Sequence, residues 1–351
     1  MPRLIRPFFI YFMLYGATEN DREEQFKMIK DANRLNNHST TPAFIYTYAF
    51  REDERSLCYM EMRSLFGVES HVNILKSKVK IEPSRSPFMK ERIEVMYEGD
   101  DLANILEQVE QIDLAGATFK VIFVKINDLN ESNKIEYGQR RVIEREIGMQ
   151  IEGEADVHHP ERVFGIVPLG GRWYFGEYIE SEAVWYHHVK KPRSYSTSLS
   201  TRVARAVANI AVPNPDGVKA IDPCCGIGTV LVEALSMGID IVGRDINPLV
   251  VIGSRENIAH FGFEGDVTVG PIADVTTNYD VAIIDMPYNL FTHATPEDQF
   301  SILTHARRFA KKVIVVTIET MDHMIKEAGF EITDRCIAKK GTFSREILVC
   351  E

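Results

Sequence analysis

Four aspartates in the C-terminal part of the chain each follow a short apolar run, and their spacing could support chemistry. They are Asp222, Asp245, Asp274 and Asp285. A single acid of this kind is usually a helix cap or a loop residue. Four acids in step with four apolar runs are typical of parallel strands that end at one edge of a sheet, where open α/β sheets bind ligands. The pattern predicts a carboxylate-lined ligand site at that edge.

A glycine loop follows the first run, in the stretch Asp222-Pro-Cys-Cys-Gly-Ile-Gly-Thr229. Gly226 and Gly228 let the backbone approach a ligand closely, and the helix expected next offers free N–H groups. Leu231 stands where a dinucleotide fingerprint needs its third glycine, and the loop lacks the lysine of a phosphate-binding P-loop. These departures disfavour a dinucleotide or a nucleoside triphosphate as the ligand of the loop.

Asp245 lies 23 residues after Asp222, at the end of the next predicted strand. An acid at this place is suited to bind the two hydroxyls of a ribose. A ligand with a ribose but no phosphate therefore fits the loop. S-adenosylmethionine is the common ligand of this kind.

The tetrapeptide Asp285-Met-Pro-Tyr288 follows an apolar strand and should reach the same edge. The amine of a nucleic-acid base is a poor nucleophile, and a carboxylate with a backbone carbonyl can each accept one of its N–H bonds. Asp285 and the carbonyl of Met286 are the candidates for this role. Pro287 would stiffen the turn, and Tyr288 offers a face on which a flipped base can stack.

The elements that must position these residues alternate between strand and helix from Val218 onward. Apolar runs such as Val281–Ile284 are typical of parallel strands covered on both faces. The C-terminal part is therefore predicted to be a doubly wound, Rossmann-like α/β domain that ends in a hairpin around Lys340-Gly341. The predicted strands are Val218–Ile221, Ile239–Gly243, Val267–Val269, Val281–Ile284, Val313–Thr317, Ile332–Ala338 and Glu346–Cys350.

The N-terminal half has the mixed pattern of a smaller α+β region. Its predicted helices are Ser56–Phe66, Leu102–Gln111 and Tyr137–Met149. Its predicted strands are Ala43–Phe50, Val72–Leu75, Val79–Ile81 and Phe119–Ile126, with a hairpin of Arg162–Val167 and Trp173–Tyr178.

The acid series, glycine loop and tetrapeptide resemble the motifs of class I S-adenosylmethionine-dependent amino-methyltransferases. More narrowly, the chain resembles the THUMP-containing tRNA guanine-N2 methyltransferases. Gly138–Tyr178 is similar to the second half of a THUMP domain, and Ser198–Ala211 to the helix that leads into the catalytic domain. The usual tetrapeptide of that family is Asp-Pro-Pro-Tyr followed by Gly, whereas Met286 and Asn289 stand at its second and fifth positions here.

The resemblance implies a role for each matching residue. Asp222, Gly226 and Gly228 would line the methionine end of the cofactor, Asp245 would hold the ribose, and Asp274 would lie near the adenine amine. Asp285 to Tyr288 would hold the target base. Cys224, Thr229 and Ile246 complete the expected cofactor-binding set, and no metal is expected.

Composition sets limits on the partners. The net charge of −11 weighs against a protein that coats nucleic acid through its overall field. Contact with RNA, expected to be tRNA, would depend on local basic residues. Charge alone indicates a solvated surface, and an RNA-binding chain would use the same residues as a patch: Lys76, Lys78, Lys80, Arg85, Lys90, Arg92, Arg140, Arg141, Lys190, Lys191 and Arg193.

Neither a membrane nor an oxidising compartment is indicated. The apolar run from Phe8 to Leu14 is too short to span a bilayer. Five cysteines without a Cys-x-x-Cys pair suggest a reducing environment, so we expect a cytoplasmic protein. The oligomeric state stays open.

The expected organisation has four parts. Residues 1–42 are an extension of unclear role, 43–186 an α+β and THUMP-like RNA-binding region, 187–217 a linker with a lead-in helix, and 218–351 the methyltransferase domain. The predicted function is methyl transfer to an exocyclic base amine in RNA, with guanine N2 in tRNA favoured. The alternatives are an adenine-N6 or cytosine-N4 methyltransferase of DNA or RNA, and a non-catalytic RNA-binding protein that retains the fold.

Overall fold

The structure is a computed structural model that describes residues 42–68, 72–126, 135–195, 198–287, 294–340 and 343–351. Residues 1–41, Tyr288, Asn289 and Gly341 lie outside this described part of the chain. Within the described ranges, no helix combines the length and apolar character needed to cross a bilayer.

The described N-terminal residues form a six-stranded sheet with three helices against it. Its strands are β1 (Phe44–Tyr48), β2 (Ile74–Ser77), β3 (Met89–Gly99), β4 (Phe119–Phe123), β5 (Arg162–Leu169) and β6 (Arg172–Glu180). Its helices are α1 (Arg55–Phe66), α2 (Leu102–Val109) and α3 (Tyr137–Gln150). The strand order is β2-β1-β3-β6-β5-β4, and only the β4–β5 pair is parallel. The α+β arrangement is thus as predicted.

The predicted strand at Val79–Ile81 is wrong. The hydroxyl of the fully buried Tyr46 donates to the carbonyl of Val79 at 2.8 Å and accepts from the N–H of Ile81 at 2.8 Å. One side chain therefore satisfies backbone groups that a strand would have paired in a ladder. The alternating pattern of this segment did not reveal that partner.

The described C-terminal residues form a seven-stranded sheet. Its strands are β7 (Lys219–Asp222), β8 (Asp240–Asp245), β9 (Val267–Val269), β10 (Tyr279–Asp285), β11 (Ala310–Thr317), β12 (Ile332–Lys340) and β13 (Phe343–Cys350). The order is β12-β13-β11-β10-β7-β8-β9, with β11 to β9 parallel and β13 antiparallel to both neighbours. The order reverses at β7, which is the arrangement of a doubly wound sheet.

Four helices accompany this sheet, and two more connect it to the first. They are α4 (Val184–His187), α5 (Thr201–Ala211), α6 (Thr229–Ser236), α7 (Pro248–His260), α8 (Pro296–Phe309) and α9 (Asp322–Glu327). The helix α6 follows β7, with the glycine loop between them. The helix α7 follows β8, which ends at Asp245.

The lead-in helix of the segment that composition marked as a linker is part of the packed core. Nine residues of α5 are buried, and this helix contacts both α1 and α6. Ser200 caps α5 by accepting from the N–H of Val203. The same apolar cluster contains side chains of α1, α5 and the C-terminal sheet. The two sheets therefore share a core through α5.

Candidate active site

Three of the four sequence-predicted acids end neighbouring parallel strands. Asp222 closes β7, Asp245 closes β8 and Asp285 closes β10, and β7 lies between the other two. Adjacent strands lie about 4.8 Å apart, so the three carboxylates share one edge of the sheet. The fold thus gathers acids that are distant in sequence into one site.

Asp222 is the buried member of this group, with 3% of its surface exposed. Its Oδ1 accepts from the N–H of Cys224 at 3.2 Å. Burial raises the pKa of Asp222 well above its usual range, against the lowering by that N–H, and the Asp285 and Asp245 carboxylates raise it further. A positive charge at this edge would favour the ionised form of Asp222.

Asp245 joins the glycine loop to the start of α7. Its Oδ2 accepts from the N–H of Gly226 and its Oδ1 from the N–H of Asn247, each at 2.9 Å. Each carboxylate oxygen can accept more than one hydrogen bond. A half-buried carboxylate oriented by two backbone donors can therefore also bind a pair of hydroxyls.

The two glycines of the loop have left-handed backbone conformations, with φ of +52° at Gly226 and +75° at Gly228. A Cβ at Gly228 would lie 2.2 Å from Ser254 Oγ on α7, whereas a Cβ at Gly226 would meet no atom within 4 Å. Gly228 thus lets the loop pack on α7. Gly226 faces open space, where a ligand can approach the backbone.

A lysine reaches this loop from a distant part of the chain. Lys191 Nζ donates to Oγ1 of Thr229, the first residue of α6, at 2.8 Å. Asn257 of α7 adds a second support, since its Nδ2 donates to the carbonyl of Ile227 at 2.8 Å and its Oδ1 accepts from the N–H of Arg193. The sequence analysis missed both residues as loop supports, because no local pattern relates them to the loop.

The described part of the tetrapeptide continues β10. The N–H of Met286 donates to the carbonyl of Val316 on β11 at 2.9 Å, and its side chain is 1% exposed. A proline at this position would lose that hydrogen bond, so the departure from the usual tetrapeptide extends the sheet by one bond. The carbonyl of Pro287 accepts from Nε2 of the buried Gln299 at 3.3 Å. Tyr288 is outside the described residues.

The remaining predicted site residues lie at the rim or behind the loop. The side chain of Asp274 is 65% exposed and lies 3.8 Å from Nη2 of Arg244, and Ile246 is 72% exposed. Cys224 is half-buried, and burial with the neighbouring Asp222 raises the pKa of its thiol. Cys224 is therefore a neutral thiol at physiological pH.

Two of the basic residues between Lys76 and Arg92 face the interior. Arg92 is 3% exposed and donates to the carbonyl of Ile81 at 2.9 Å, and Arg85 donates to Asn209 and to the carbonyl of Val212. Lys76 pairs with Glu98 and Lys80 with Glu94. The exposed basic residues of this segment are therefore lysines: Lys76, Lys78, Lys80 and Lys90.

The three acids suit a positively charged ligand that contains a ribose. Asp222 is buried beside two further carboxylates, a placement that a bound cation would stabilise. S-adenosylmethionine has a sulfonium, an ammonium and a ribose, so the donor set fits it. This site and the doubly wound sheet define the class of the C-terminal domain, which has the Rossmann-like fold of class I methyltransferases.

Comparison with known proteins supports this class. Residues 189–322 match the family described as UPF0020, RMKL-like, methyltransferase domain. That stretch, which contains the glycine loop and all four predicted acids, is similar to the methyltransferase domain that this family describes.

Related proteins confirm the predicted resemblance to RNA guanine-N2 methyltransferases. A tRNA (guanine(10)-N2)-dimethyltransferase of Methanothermobacter thermautotrophicus is 27% identical over 228 residues, which are 61% of this chain and 65% of that protein. The U6 snRNA (guanine-N(2))-methyltransferase THUMPD2 of Homo sapiens is 28% identical over 100 residues, which are 26% of this chain and 20% of that protein. The chain thus spans less than two thirds of the length of these curated relatives.

A solved structure of TrmN from Thermus thermophilus is 15% identical and covers 88% of this chain and 99% of its own, with a TM-score of 0.44. A likeness at this level says nothing about activity.

Proposed function

We propose that this protein transfers a methyl group from S-adenosylmethionine to an exocyclic base amine of RNA, and that the acceptor is N2 of guanine in tRNA. The observation that carries the proposal is the position of Asp285, at the end of the strand beside the glycine loop. A group that can bind an amine thus adjoins a site that suits the methyl donor. The printed names of the two relatives, which specify guanine N2 in tRNA and in U6 snRNA, support the choice of acceptor.

The donor would be held along the edge from β7 to β9. We assign Asp222, Cys224, Gly226, Gly228 and Thr229 to its methionine end. Asp245 would bind the ribose, and Ile246 and Asp274 would flank the adenine. When bound, S-adenosylmethionine supplies a methyl group attached to a positively charged sulfur. A nitrogen lone pair can attack this methyl group and displace the sulfur.

The acceptor would be held by the tetrapeptide. The Asp285 carboxylate and the Met286 carbonyl each accept one N–H of the base amine, which favours the geometry with an available lone pair. As the nitrogen gains the methyl group, it becomes positively charged and then loses one proton, for which Asp285 is the adjacent base. Pro287 would fix the turn, and Tyr288 would stack on the base.

The two parts of the chain would have different functions. We propose that residues 43–186 are a THUMP-like RNA-binding region and that residues 218–351 carry the chemistry. The resemblance of Gly138–Tyr178 to a THUMP domain supports the first assignment. Residues 187–217 would join them through α5, and the cytoplasm, where tRNA is abundant, is the proposed location.

Methyl transfer from tritiated S-adenosylmethionine to unmodified tRNA tests the proposal. We expect labelled N2-methylguanosine on nucleoside analysis. Asp285→Asn should lower kcat by at least about a hundredfold, because the amide cannot take the proton, while donor affinity measured by calorimetry changes little.

Asp266→Asn is the matched control, since this exposed acid precedes β9 at the opposite edge of the sheet. It should transfer methyl groups at the rate of the unaltered protein. Label in N6-methyladenosine would contradict the guanine assignment. Donor binding without transfer to any RNA would contradict the enzymatic function.

A further inference from the structure

The segment from Trp185 to Tyr195 presents aromatic and basic side chains to solvent. Tyr186 is 62% exposed and Tyr195 is 55% exposed, and Lys190 between them is also exposed. No acidic residue occurs between the two tyrosines. We call the exposed side chains of Tyr186, Lys190 and Tyr195 the aromatic strip.

Other side chains of the same segment fix it to the methyltransferase domain. His188 is 4% exposed, and its Nδ1 lies 2.8 Å from Oε1 of Glu233 on α6. Lys191 bonds Thr229, and the backbone of Arg193 bonds the side chain of Asn257. The inward residues are therefore held by specific bonds, so the strip is presented on a defined backbone.

These bonds place only the later part of the strip near the glycine loop. Thr229 begins α6 directly after Gly228, and Asn257 contacts both Arg193 and the carbonyl of Ile227 within the loop. Lys190 is one residue from Lys191, and Tyr195 is two residues from Arg193, a distance of at most about 7 Å along the chain. Lys190 and Tyr195 thus lie on the glycine-loop side of the segment, whereas His188, two residues after Tyr186, packs against Phe261 and Phe263 beyond the C-terminal end of α7.

Exposed tyrosines with an interleaved lysine suit an unpaired nucleic-acid strand. Bases stack on aromatic faces whatever their identity, and cations bind the backbone phosphates. A duplex hides its base faces and would use only the lysine. Because Arg85 and Arg92 bond groups inside the protein, the strip is a further candidate for RNA contact.

We propose that the aromatic strip binds an unpaired segment of the RNA acceptor. The proposal rests on the proposed function for the identity of the strand, but binding can be measured without methyl transfer.

Fluorescence anisotropy with labelled oligouridine, which has no stable structure, tests the strip directly. Tyr186→Ala and Tyr195→Ala should each weaken binding by at least about fivefold, the effect of losing one stacked base. Lys190→Glu should reduce the slope of log affinity against log salt by about one. Binding to a blunt RNA duplex should change little in the tyrosine variants.

Two variants outside the proposed RNA-binding region control for the loss of an exposed apolar side chain and of a surface charge. Ile337→Ala removes an apolar side chain of 45% exposure on β12, and Lys219→Glu alters an exposed lysine at the amino end of β7. Both should keep the affinity of the unaltered protein for oligouridine. Donor binding should be equal in all five variants, which shows that each is folded.

The outcomes separate the strip from the enzymatic function. Unchanged affinity in the strip variants, an equal loss in Ile337→Ala, or no binding of oligouridine by the unaltered protein would overturn the strip, even if tRNA is methylated. Binding of oligouridine through the strip without methyl transfer would support the strip and overturn the proposed function.

Discussion

At the scale of single residues, the glycine loop depends on two glycines that serve different purposes. Gly228 needs its left-handed backbone and the absence of a Cβ against Ser254, whereas Gly226 needs only the backbone conformation. The two glycines of the motif are therefore needed for different physical reasons. The spacing of the glycines could be recognised in the sequence, but this difference required the position of α7.

We expect Gly228→Ala to lower the free energy of unfolding by about 1–3 kcal/mol more than Gly226→Ala, because only the former crowds a packed neighbour. Urea unfolding of both variants measures the difference. Donor affinity should instead fall more for Gly226→Ala, since a Cβ there would occupy the open space through which the donor is proposed to approach the backbone. Equal losses of stability would show that Ser254 relaxes without cost.

At the scale of elements, α5 joins the N-terminal unit to the methyltransferase domain through buried polar groups. Glu61 on α1 accepts from Asn209 Nδ2 on α5 at 2.6 Å and from Ser86 Oγ at 2.5 Å. Burial raises the pKa of Glu61 from 4.5 to about 7, against the lowering by these two donors. Such a group makes the contact between the two helices sensitive to pH.

The sign of this effect follows from proton binding. Between pH 4.5 and 7 the unfolded chain has released the proton of Glu61 while the folded protein retains it, so stability falls as the pH rises through this window. Glu61→Gln should abolish that component, which amounts to at most about 3 kcal/mol.

Chemical unfolding at several pH values checks this prediction. The exposed Glu107→Gln on α2 is the control, and it should keep the pH dependence of the unaltered protein. If the stability of Glu61→Gln depends on pH as that of the unaltered protein does, Glu61 is already ionised in the folded state.

At the scale of the whole molecule, Arg205 connects the N-terminal unit to the methyltransferase domain. It is 2% exposed and donates to the carbonyls of Ser84 and Arg85 in the N-terminal unit. It also donates to Glu233 Oε2 on α6 at 2.8 Å. Glu233 in turn contacts His188, so one buried network reaches from the first sheet to the helix that follows the glycine loop.

Arg205→Met should destabilise the protein by about 3–5 kcal/mol, because it leaves a buried carboxylate without its cation. The double variant Arg205→Met/Glu233→Met should cost less than the sum of the two single variants. Arg335→Met is the control, since Arg335 pairs with Asp322 at the surface and should cost at most about 1 kcal/mol. Additive losses in the double variant would show that the two residues are not coupled.

Much of the site could be predicted because its residues follow local signals along the chain. Asp222, Asp245 and Asp285 each come directly after an apolar strand, and parallel strands joined by helices bring such positions to one edge. The two glycines of the loop can likewise be recognised from their spacing, whereas Asp245 and Asn257, which bond the loop backbone, come from other elements.

The partners of individual side chains were decided only by the tertiary structure. Lys191 reaches Thr229 across 38 positions, and Arg63 pairs with Asp334 across 271 positions. Nothing local marks Arg85 and Arg92 as interior residues or Tyr46 as the partner of Val79. The sequence by itself thus predicted the strands of the C-terminal sheet, the loop and the acids, because those depend on short-range backbone preference and periodicity, but it did not predict β3 or the order of strands in either sheet. Which charges are neutralised, and which remain free to meet an RNA, depends on contacts between distant residues that form only when the chain has folded.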